Sequence, residues 1–407
     1  MKLLILTQYF PPEVGAPQNR LFELAQRLQA KGIDVEVLTA MPNYPQMEIH
    51  KEYKGKRYVQ ESIGDISIKR TWIYVSQDKG IVKRLLNYFS FVITSLWFGL
   101  LKVEKKDVLM VESPPLFLGI TAYILSKVKK AKLIFNVSDL WPESAEKLDI
   151  IHNRLLLNLA TKLEEFCYKK SVLISGQTQG ICNNIKDRFP NKKVYWLKNG
   201  VDINFYDINK VSTSTFRKDK GFEDNDFILF YGGIIGHAQG LEVILKAAQI
   251  LKDIKDIKFV LLGNGPEKSN LLKMKAEMQL DNVFFYDAVV KSQMQAIITQ
   301  TDAAIIPLKR LDLFKGAIPS KIFENLALKK PILLGVEGEA KTLFIDEGKC
   351  GLSFIPEDYN DLAKKILILY NDKNLARQMG DNGLKYAKDN FNRDIIAEEF
   401  YKELISL

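Results

Sequence analysis

The sequence predicts an α/β protein built from two Rossmann-like domains, each an open parallel sheet, facing each other across an inter-domain cleft. Three observations predict it. The chain has 407 residues, more than a single hydrophobic core usually serves. Short apolar runs alternate with amphipathic helical patterns along its length, as parallel strands covered on both faces require. The series then restarts after Asn199-Gly200-Val201-Asp202, where residues 203–225 turn rich in Asn, Asp, Ser, Thr and Lys. The domains expected are 1–200 and 201–384, with a terminal helix over 385–407 that can pack back on the first.

Composition narrows the class. With 47% hydrophobic and 26% charged residues the chain is neither disordered nor a polytopic membrane protein. Lys and Arg number 58 against 49 Asp and Glu, a net charge of +9, which favours anionic partners without choosing among them. Three cysteines without metal-type spacing and only three histidines imply no disulfide framework and no zinc or imidazole centre. The apolar run Leu3–Leu6 is shorter than the roughly 7–15 residues of a signal-peptide core, so it reads as a buried first strand.

The elements follow in order. Lys2–Thr7 is a strand. Asn19–Gln29 is a helix with Leu21, Leu24, Ala25 and Leu28 on one face. Strands are expected at Val35–Thr39, Ile66–Trp72, Val108–Glu112, Leu133–Val137 and Val172–Ile174. In the second series Phe227–Tyr231 is a strand and Leu241–Leu251 an apolar-faced helix. Further strands are Lys258–Leu262, Asn282–Tyr286, Ala303–Pro307 and Pro331–Leu334, and a last helix covers about 385–406.

Ligands of open parallel sheets bind beyond the carboxyl ends of the strands, so the loops there carry the candidate sites. The first loop, Pro11 to Arg20, contains Gly15 and Ala16, which admit a ligand close to the backbone; it reads equally as a tight strand-to-helix turn. The loop Tyr231 to Leu241 holds four glycines, among them Gly232 and Gly233, and no acid. It lacks the G-x-G-x-x-G spacing but offers a backbone cradle for a diphosphate, with His237 and Gln239 beside it. At Lys315-Gly316-Ala317-Ile318-Pro319-Ser320-Lys321, Pro319 suits a first helical position. Amides near 317–321 would then face an anion, with Ser320 and Lys321 adding a hydroxyl and a charge. Glu324, one turn on, can accept hydrogen bonds from ribose hydroxyls, or form a solvated pair with Lys321. Leu262-Gly263-Asn264-Gly265-Pro266 is a further glycine turn on the same edge. In the first half, Asp139 and Glu143 are carboxylates on the loop after Leu133–Val137, and Trp141 offers a flat face for a sugar ring. Asp224-Asn225-Asp226 resembles a metal-binding Asp-x-Asp but precedes a strand, on the wrong edge, and reads as an Asx turn.

Leu85–Leu101 is 17 residues without a charge, about 25 Å as a helix, against a hydrocarbon core of about 30 Å. Spanning would place strands of one sheet on opposite sides of a bilayer. Basic residues at both ends, including Lys79, Lys83, Arg84, Lys102, Lys105 and Lys106, suit a helix lying in an anionic interface; burial in the domain is the other reading.

Together these strings resemble the family 4 glycosyltransferases of GT-B fold over nearly the whole chain, and within them the bacterial N-acetyl-L-fucosaminyltransferases of O-antigen and capsule synthesis. The resemblance rests on Pro11-Pro12-Glu13-Val14-Gly15, Pro42-Asn43-Tyr44-Pro45, Asp139-Leu140-Trp141-Pro142-Glu143, Asn199-Gly200-Val201-Asp202, Ala238-Gln239-Gly240-Leu241 and Pro319-Ser320-Lys321-Ile322-Phe323-Glu324. It implies a nucleotide-sugar donor, UDP-linked, held by the second half through Gly232, Gly233, Gln239, Gly316, Ala317, Ser320, Lys321 and Glu324. It implies a lipid-linked saccharide acceptor in the first half, near Gly15, Ala16, Trp141 and Glu143. Transfer would retain configuration without metal or cofactor. Lys321 and His237 would meet the charge on the leaving diphosphate, and Asp139 would orient a hydroxyl or take its proton. The expected setting is the cytoplasmic face of the bacterial inner membrane, peripheral or monotopic, against an anionic surface, with no nucleic acid. Two features depart from the family: Gly316 stands where many members carry a glutamate, and His237 and Gln239 where Arg and Lys are common. A UDP-sugar 2-epimerase and a non-catalytic nucleotide-sugar-binding subunit are the competing readings.

Overall fold

The structure is a computed structural model; it describes residues 1–13, 15–44, 46–78, 80–147, 153–211 and 214–407, with the backbone alone at Ile81 and Lys147. The chain forms two compact units, Met1–Asn199 with Arg393–Leu407, and Gly200–Asn392.

The first unit opens with β1 (Lys2–Leu6), α1 (Ala16–Ala30), β2 (Asp34–Ala40), β3 (Tyr58–Ile63), β4 (Ile66–Thr71) and α2 (Ile81–Lys102). It continues with β5 (Val108–Ser113), α3 (Leu118–Lys129), β6 (Lys132–Val137), α4 (Glu143–Lys147), α5 (Arg154–Lys170), β7 (Leu173–Gly176), α6 (Gln179–Arg188) and β8 (Val194–Trp196). The sheet runs β3-β4-β2-β1-β5-β6-β7-β8. It is parallel except for the β3–β4 hairpin, whose edge strand β3 apolar patterning does not reveal because it has no buried position. Strand β1 pairs with β2 on one side and β5 on the other, so the order reverses there.

The second unit begins with α7 (Phe216–Asp219), β9 (Phe227–Gly232), α8 (Glu242–Ile250), β10 (Ile257–Leu262), α9 (Lys268–Glu277), β11 (Val283–Tyr286) and α10 (Lys291–Thr299). It proceeds through β12 (Ala303–Pro307), α11 (Lys321–Ala327), β13 (Ile332–Gly335), α12 (Glu339–Lys341), β14 (Gly351–Ser353), α13 (Tyr359–Asn371) and α14 (Lys373–Asn390). Its sheet is wholly parallel, β11-β10-β9-β12-β13-β14. This is the doubly wound order with its reversal between β9 and β12. Val, Ile, Leu and Phe fill the strands because both faces are covered: Ile228, Leu229, Phe230, Phe259, Val260 and Ile305 are all buried.

The terminal helix differs from the expected continuous 385–406. Asn390 ends α14, and α15 (Arg393–Ile405) starts after Phe391-Asn392. Helix α15 belongs to the first unit, where Ile396, Ala397, Phe400 and Leu404 join Leu3, Ile5, Leu21 and Leu28 in one buried cluster. Polar pairs fix the register against α1: Arg393 with Glu23, Lys31 with Glu398, and Arg27 with Asp394 at 2.7 Å. Phe400 is fully buried, and a buried Phe→Ala change typically costs about 3–5 kcal/mol. Phe400→Ala should therefore lower the urea midpoint of the first unit's transition by that equivalent, whereas Ile405→Ala, at an exposed position, should leave it unchanged.

Candidate functional site

In the second unit the site grows from the carboxyl ends of β9, β10 and β12. Strand β9 delivers Gly232 and Gly233. The latter has φ +140°, a conformation that favours glycine. A Cβ there would lie 3.3 Å from the Lys321 Nζ and 3.9 Å from the Tyr231 hydroxyl. The turn after β10 presses against the same backbone. Gly263 has φ +154°, and a Cβ on it would fall 1.8 Å from the Gly233 carbonyl oxygen. Gly233 N–H donates to Leu262 O at 2.9 Å, and Ile235 N–H to Asn264 O at 2.9 Å. The two glycine turns are thus locked backbone to backbone, and the turn 263–266, readable in sequence as a plain turn, shapes the cradle.

Lys321 begins α11 and is half-buried. Its amine donates to the Tyr231 hydroxyl at 2.9 Å and lies 4.0 Å from that ring's centroid, while the Tyr231 hydroxyl donates to Ile234 O at 2.5 Å. Burial pulls the amine's pKa down to about 7, and Glu324 opposes the shift. The cradle therefore keeps an incompletely charged cation against glycine backbone, ready to be charged by an arriving anion. Tyr231, which burial pushes up as an acid, was not singled out by sequence reading: it is one more aromatic residue in a buried strand.

Around the loop's far side, His237 is exposed. Lys309 Nζ donates to its Nε2 at 2.9 Å, and Glu267 lies 3.8 Å from Nδ1. Lys309 follows β12, and its N–H donates to Ala238 O at 2.9 Å. It too escaped sequence reading, since nothing in Pro307-Leu308-Lys309 marks it, but the strand order places it beside the β9 loop. Gln239 shares the same short turn, His237–Gln239.

The helix-start expectation needs correction in detail. The helix begins at Lys321, not Pro319; Pro319 O and Ser320 O accept from Ile322 and Phe323 N–H at 3.1 Å each. The Ala317 N–H is already taken by Phe314 O at 3.0 Å. The N–H groups of Ser320 and Lys321 meet no protein acceptor among the described residues. Gly316 closes the turn Asp312–Gly316 and faces open space, and Glu324 lies one turn along α11, partly exposed. Asp226, of the Asp-Asn-Asp string, accepts from Glu223 N–H at 2.9 Å ahead of β9.

In the first unit, described by itself, a buried carboxylate explains two motif strings. Glu13 accepts N–H bonds from Phe10 at 3.2 Å and from Asn43 and Tyr44 at 2.8 Å each. It ties the loop after β1 to the loop after β2, and burial raises its pKa. Val14 and Pro45, in the same strings, and Lys79, ahead of α2, lie outside the described residues. Gly15 caps α1 and Ala16 is its first residue. At the β1/β5 reversal, Arg20 donates to Glu112 Oε1 at 2.6 Å and to Ser138 Oγ at 2.7 Å. Its Nη1 is buried without a partner among the described residues. The next residue, Asp139, accepts from the Ser144 hydroxyl and the Leu140 N–H, yet burial raises its pKa. Trp141 is half-buried and meets Phe117 edge-on at 5.5 Å. Glu143 opens α4.

Residues 212–386 match the family model described as Glycosyl transferases group 1. The putative colanic acid biosynthesis glycosyl transferase WcaI of Escherichia coli (strain K12) is 26% identical over 98% of this chain and 99% of its own. Among solved structures, sucrose-phosphate synthase from Thermosynechococcus elongatus aligns with TM-score 0.74 at 15% identity, covering all of both chains. Anabaena HepE in complex with UDP and glucose aligns with TM-score 0.71 at 17% identity, again over all of both chains. The fold is that of the GT-B glycosyltransferases. The likeness to the group 1 glycosyl transferases lies within the second unit, and the solved structures extend the likeness in fold to the whole chain.

Because a Cβ on Gly263 would collide with backbone rather than with a movable side chain, Gly263→Ala should cost more than the ~1 kcal/mol of an ordinary glycine replacement. Chemical denaturation should show the second unit's midpoint lowered by at least twice the loss in Gly221→Ala, a positive-φ glycine with nothing within 4 Å.

Proposed function

We propose that the protein is a retaining, metal-independent glycosyltransferase that needs no cofactor. It moves a sugar, of the N-acetylated kind such as an N-acetylfucosamine, from a UDP-sugar to a polyprenyl-diphosphate-linked saccharide during bacterial surface polysaccharide synthesis, of the O-antigen or capsule type. The observation that carries the reading is Lys321: an amine depressed to about 7, set against the Gly233 backbone at the carboxyl edge of a doubly wound sheet. A site of that chemistry suits a diphosphate. The relative in colanic acid biosynthesis and the UDP-binding neighbour support the pathway class and the donor.

In this mechanism the diphosphate takes the amides of Ser320 and Lys321 and the Lys321 amine, which leaves Tyr231 for phosphate oxygen. Glu324 accepts from ribose hydroxyls. As the bond from the sugar to UDP breaks, negative charge grows on the diphosphate, and the now fully protonated Lys321, with His237 and its neighbour Lys309, stabilises it. Asp139, whose raised pKa makes it a better proton acceptor than an ordinary aspartate, orients the acceptor hydroxyl or takes its proton. Gly15, Ala16, Trp141 and Glu143 border the acceptor's place in the first unit. The protein acts at the cytoplasmic face of the inner membrane, held to anionic lipid.

The direct test is a panel of radiolabelled UDP-sugars with and without lipid-linked acceptors. Label entering the lipid phase only with acceptor is expected; loss of label from UDP without acceptor would point to hydrolysis or epimerisation. Glu324→Ala should weaken UDP binding about tenfold or more, the loss of a charge-assisted hydrogen bond; an unchanged titration curve would remove Glu324 from the ribose. The pH dependence has a definite sign. Near pH 8 the free Lys321 amine is mostly neutral, and the diphosphate raises its pKa, so binding takes up a proton; at pH 6 the amine is already charged and takes up none. Calorimetric titration of UDP at pH 8, where its terminal phosphate is fully ionised, should give different enthalpies in Tris and in HEPES. Lys321→Arg should abolish the difference.

A further inference from the structure

Helix α2 is the one helix among the described residues long and apolar enough to cross a membrane, but it is part of the first unit. Its Asn87, Phe91 and Ser95 are buried. Asn87 Oδ1 accepts from Gln8 at 2.9 Å, and its amide donates to Tyr74 O at 2.6 Å. Among the residues α2 turns outward are Val82, Leu86, Phe89, Ile93, Trp97 and Leu100, all exposed, with Ile93 at 66% and Trp97 at 63%. At 100° per residue these six fall within an arc of about 80°. They form one continuous stripe along the helix.

A second set lies on α5. Leu155, Leu156 and Leu159 are exposed, Leu155 at 67%, although nothing in their sequence suggested an interface. Helices α2, α3 and α5 share one core cluster with the same side of the sheet, whereas α1 and α15 pack in the other. Chain direction fixes which ends come together. Helix α3 leaves the carboxyl end of β5, α5 follows β6, and α2 runs towards the start of β5. The first turns of all three therefore lie at the carboxyl edge, where Asp139 lies. Aromatic contacts join the stripe to that loop: Phe89 meets Phe117 at 4.7 Å and Phe117 meets Trp141 at 5.5 Å.

We infer that the outer face of α2 and the first turns of α5 together form the docking surface for an anionic phospholipid bilayer, with the Asp139 loop at its margin. The inference rests on the lipid-linked acceptor proposed above. Charge identifies the occupant. These three helices carry nine Lys or Arg and two Glu; Glu164 is buried and bound to Arg188 of α6, and Glu165 is paired with Lys169. The remaining basic side chains can keep their charges in the headgroup layer while the apolar stripe enters the acyl boundary. A polyprenyl chain in that bilayer would be presented along Phe89, Phe117 and Trp141, with its diphosphate-linked saccharide at the Asp139 loop.

The test uses the full chain and sedimentation with vesicles of phosphatidylglycerol and phosphatidylethanolamine, against phosphatidylcholine alone. The wild type should bind the anionic vesicles. Ile93→Gln with Trp97→Gln, and separately Leu155→Gln with Leu159→Gln, should each lower the partition coefficient about tenfold, while Ile250→Gln with Leu272→Gln in the second unit leaves it unchanged. All six positions are exposed, so thermal melts should match the wild type. Wild-type binding by the α5 pair would overturn the two-helix face, and wild-type indifference to anionic vesicles, or self-association masking both sets, would overturn the bilayer as occupant. UDP titration of the same samples separates the readings. Loss of UDP binding in the wild type sinks the proposed function, whereas vesicle binding tests the face.

Discussion

Neighbouring loops at the carboxyl edge of a parallel sheet must turn within the strand spacing, and in the second unit they do so with backbone pressed on backbone. The contact of Gly263 against the Gly233 carbonyl leaves no room for a side chain, and hydrogen bonds from Gly233 and Ile235 into the neighbouring turn hold the arrangement. Everything proposed for the donor depends on it. The same packing sets Gly233 beside Lys321 and forces that amine into a setting where burial outweighs the help of Glu324. A cation kept short of its full charge is a stored preference for an anion: the desolvation that destabilises the free ammonium is offset only when a negative ligand arrives.

The first unit solves its edge differently, with buried charge instead of close backbone. Glu13 satisfies three N–H groups from two loops, and Arg20 bridges Glu112 and Ser138 across the β1/β5 reversal. Removing one partner from such a network strands the other in a low-dielectric site. This accounts physically for two recognisable strings: Pro-Pro-Glu-Val-Gly and Pro-Asn-Tyr-Pro meet at one carboxylate. Asp139, held at the step after Ser138, is the group whose placement that network controls.

Helix α2 shows how a single segment answers two demands. One side is anchored by Asn87, Phe91 and Ser95; the other is an exposed apolar stripe. Composition records only that the segment is apolar throughout, so burial and interface stand as alternatives in the sequence.

The sequence by itself determined the class. Period-2 and period-3.6 patterning, the restart after Asn199, and the glycine-rich loops following apolar runs specify two doubly wound sheets and which loops carry the ligand chemistry, because strands buried on both faces and loops needing close approach leave compositional traces. It brought Lys321, Glu324, His237 and Asp139 forward through the strings that resemble a known family, since each alone reads equally as an ordinary loop or helix residue. Tertiary structure alone decided the rest. Strands β3, β8 and β14 are short or half-exposed edges with little pattern to read. Tyr231 and Lys309 become neighbours of the cradle only through strand order, Trp141 meets Phe117, and α15 joins the first unit through contacts with α1, more than 360 residues away. Each is a relation between residues distant in the chain, and local patterning holds no record of such pairs.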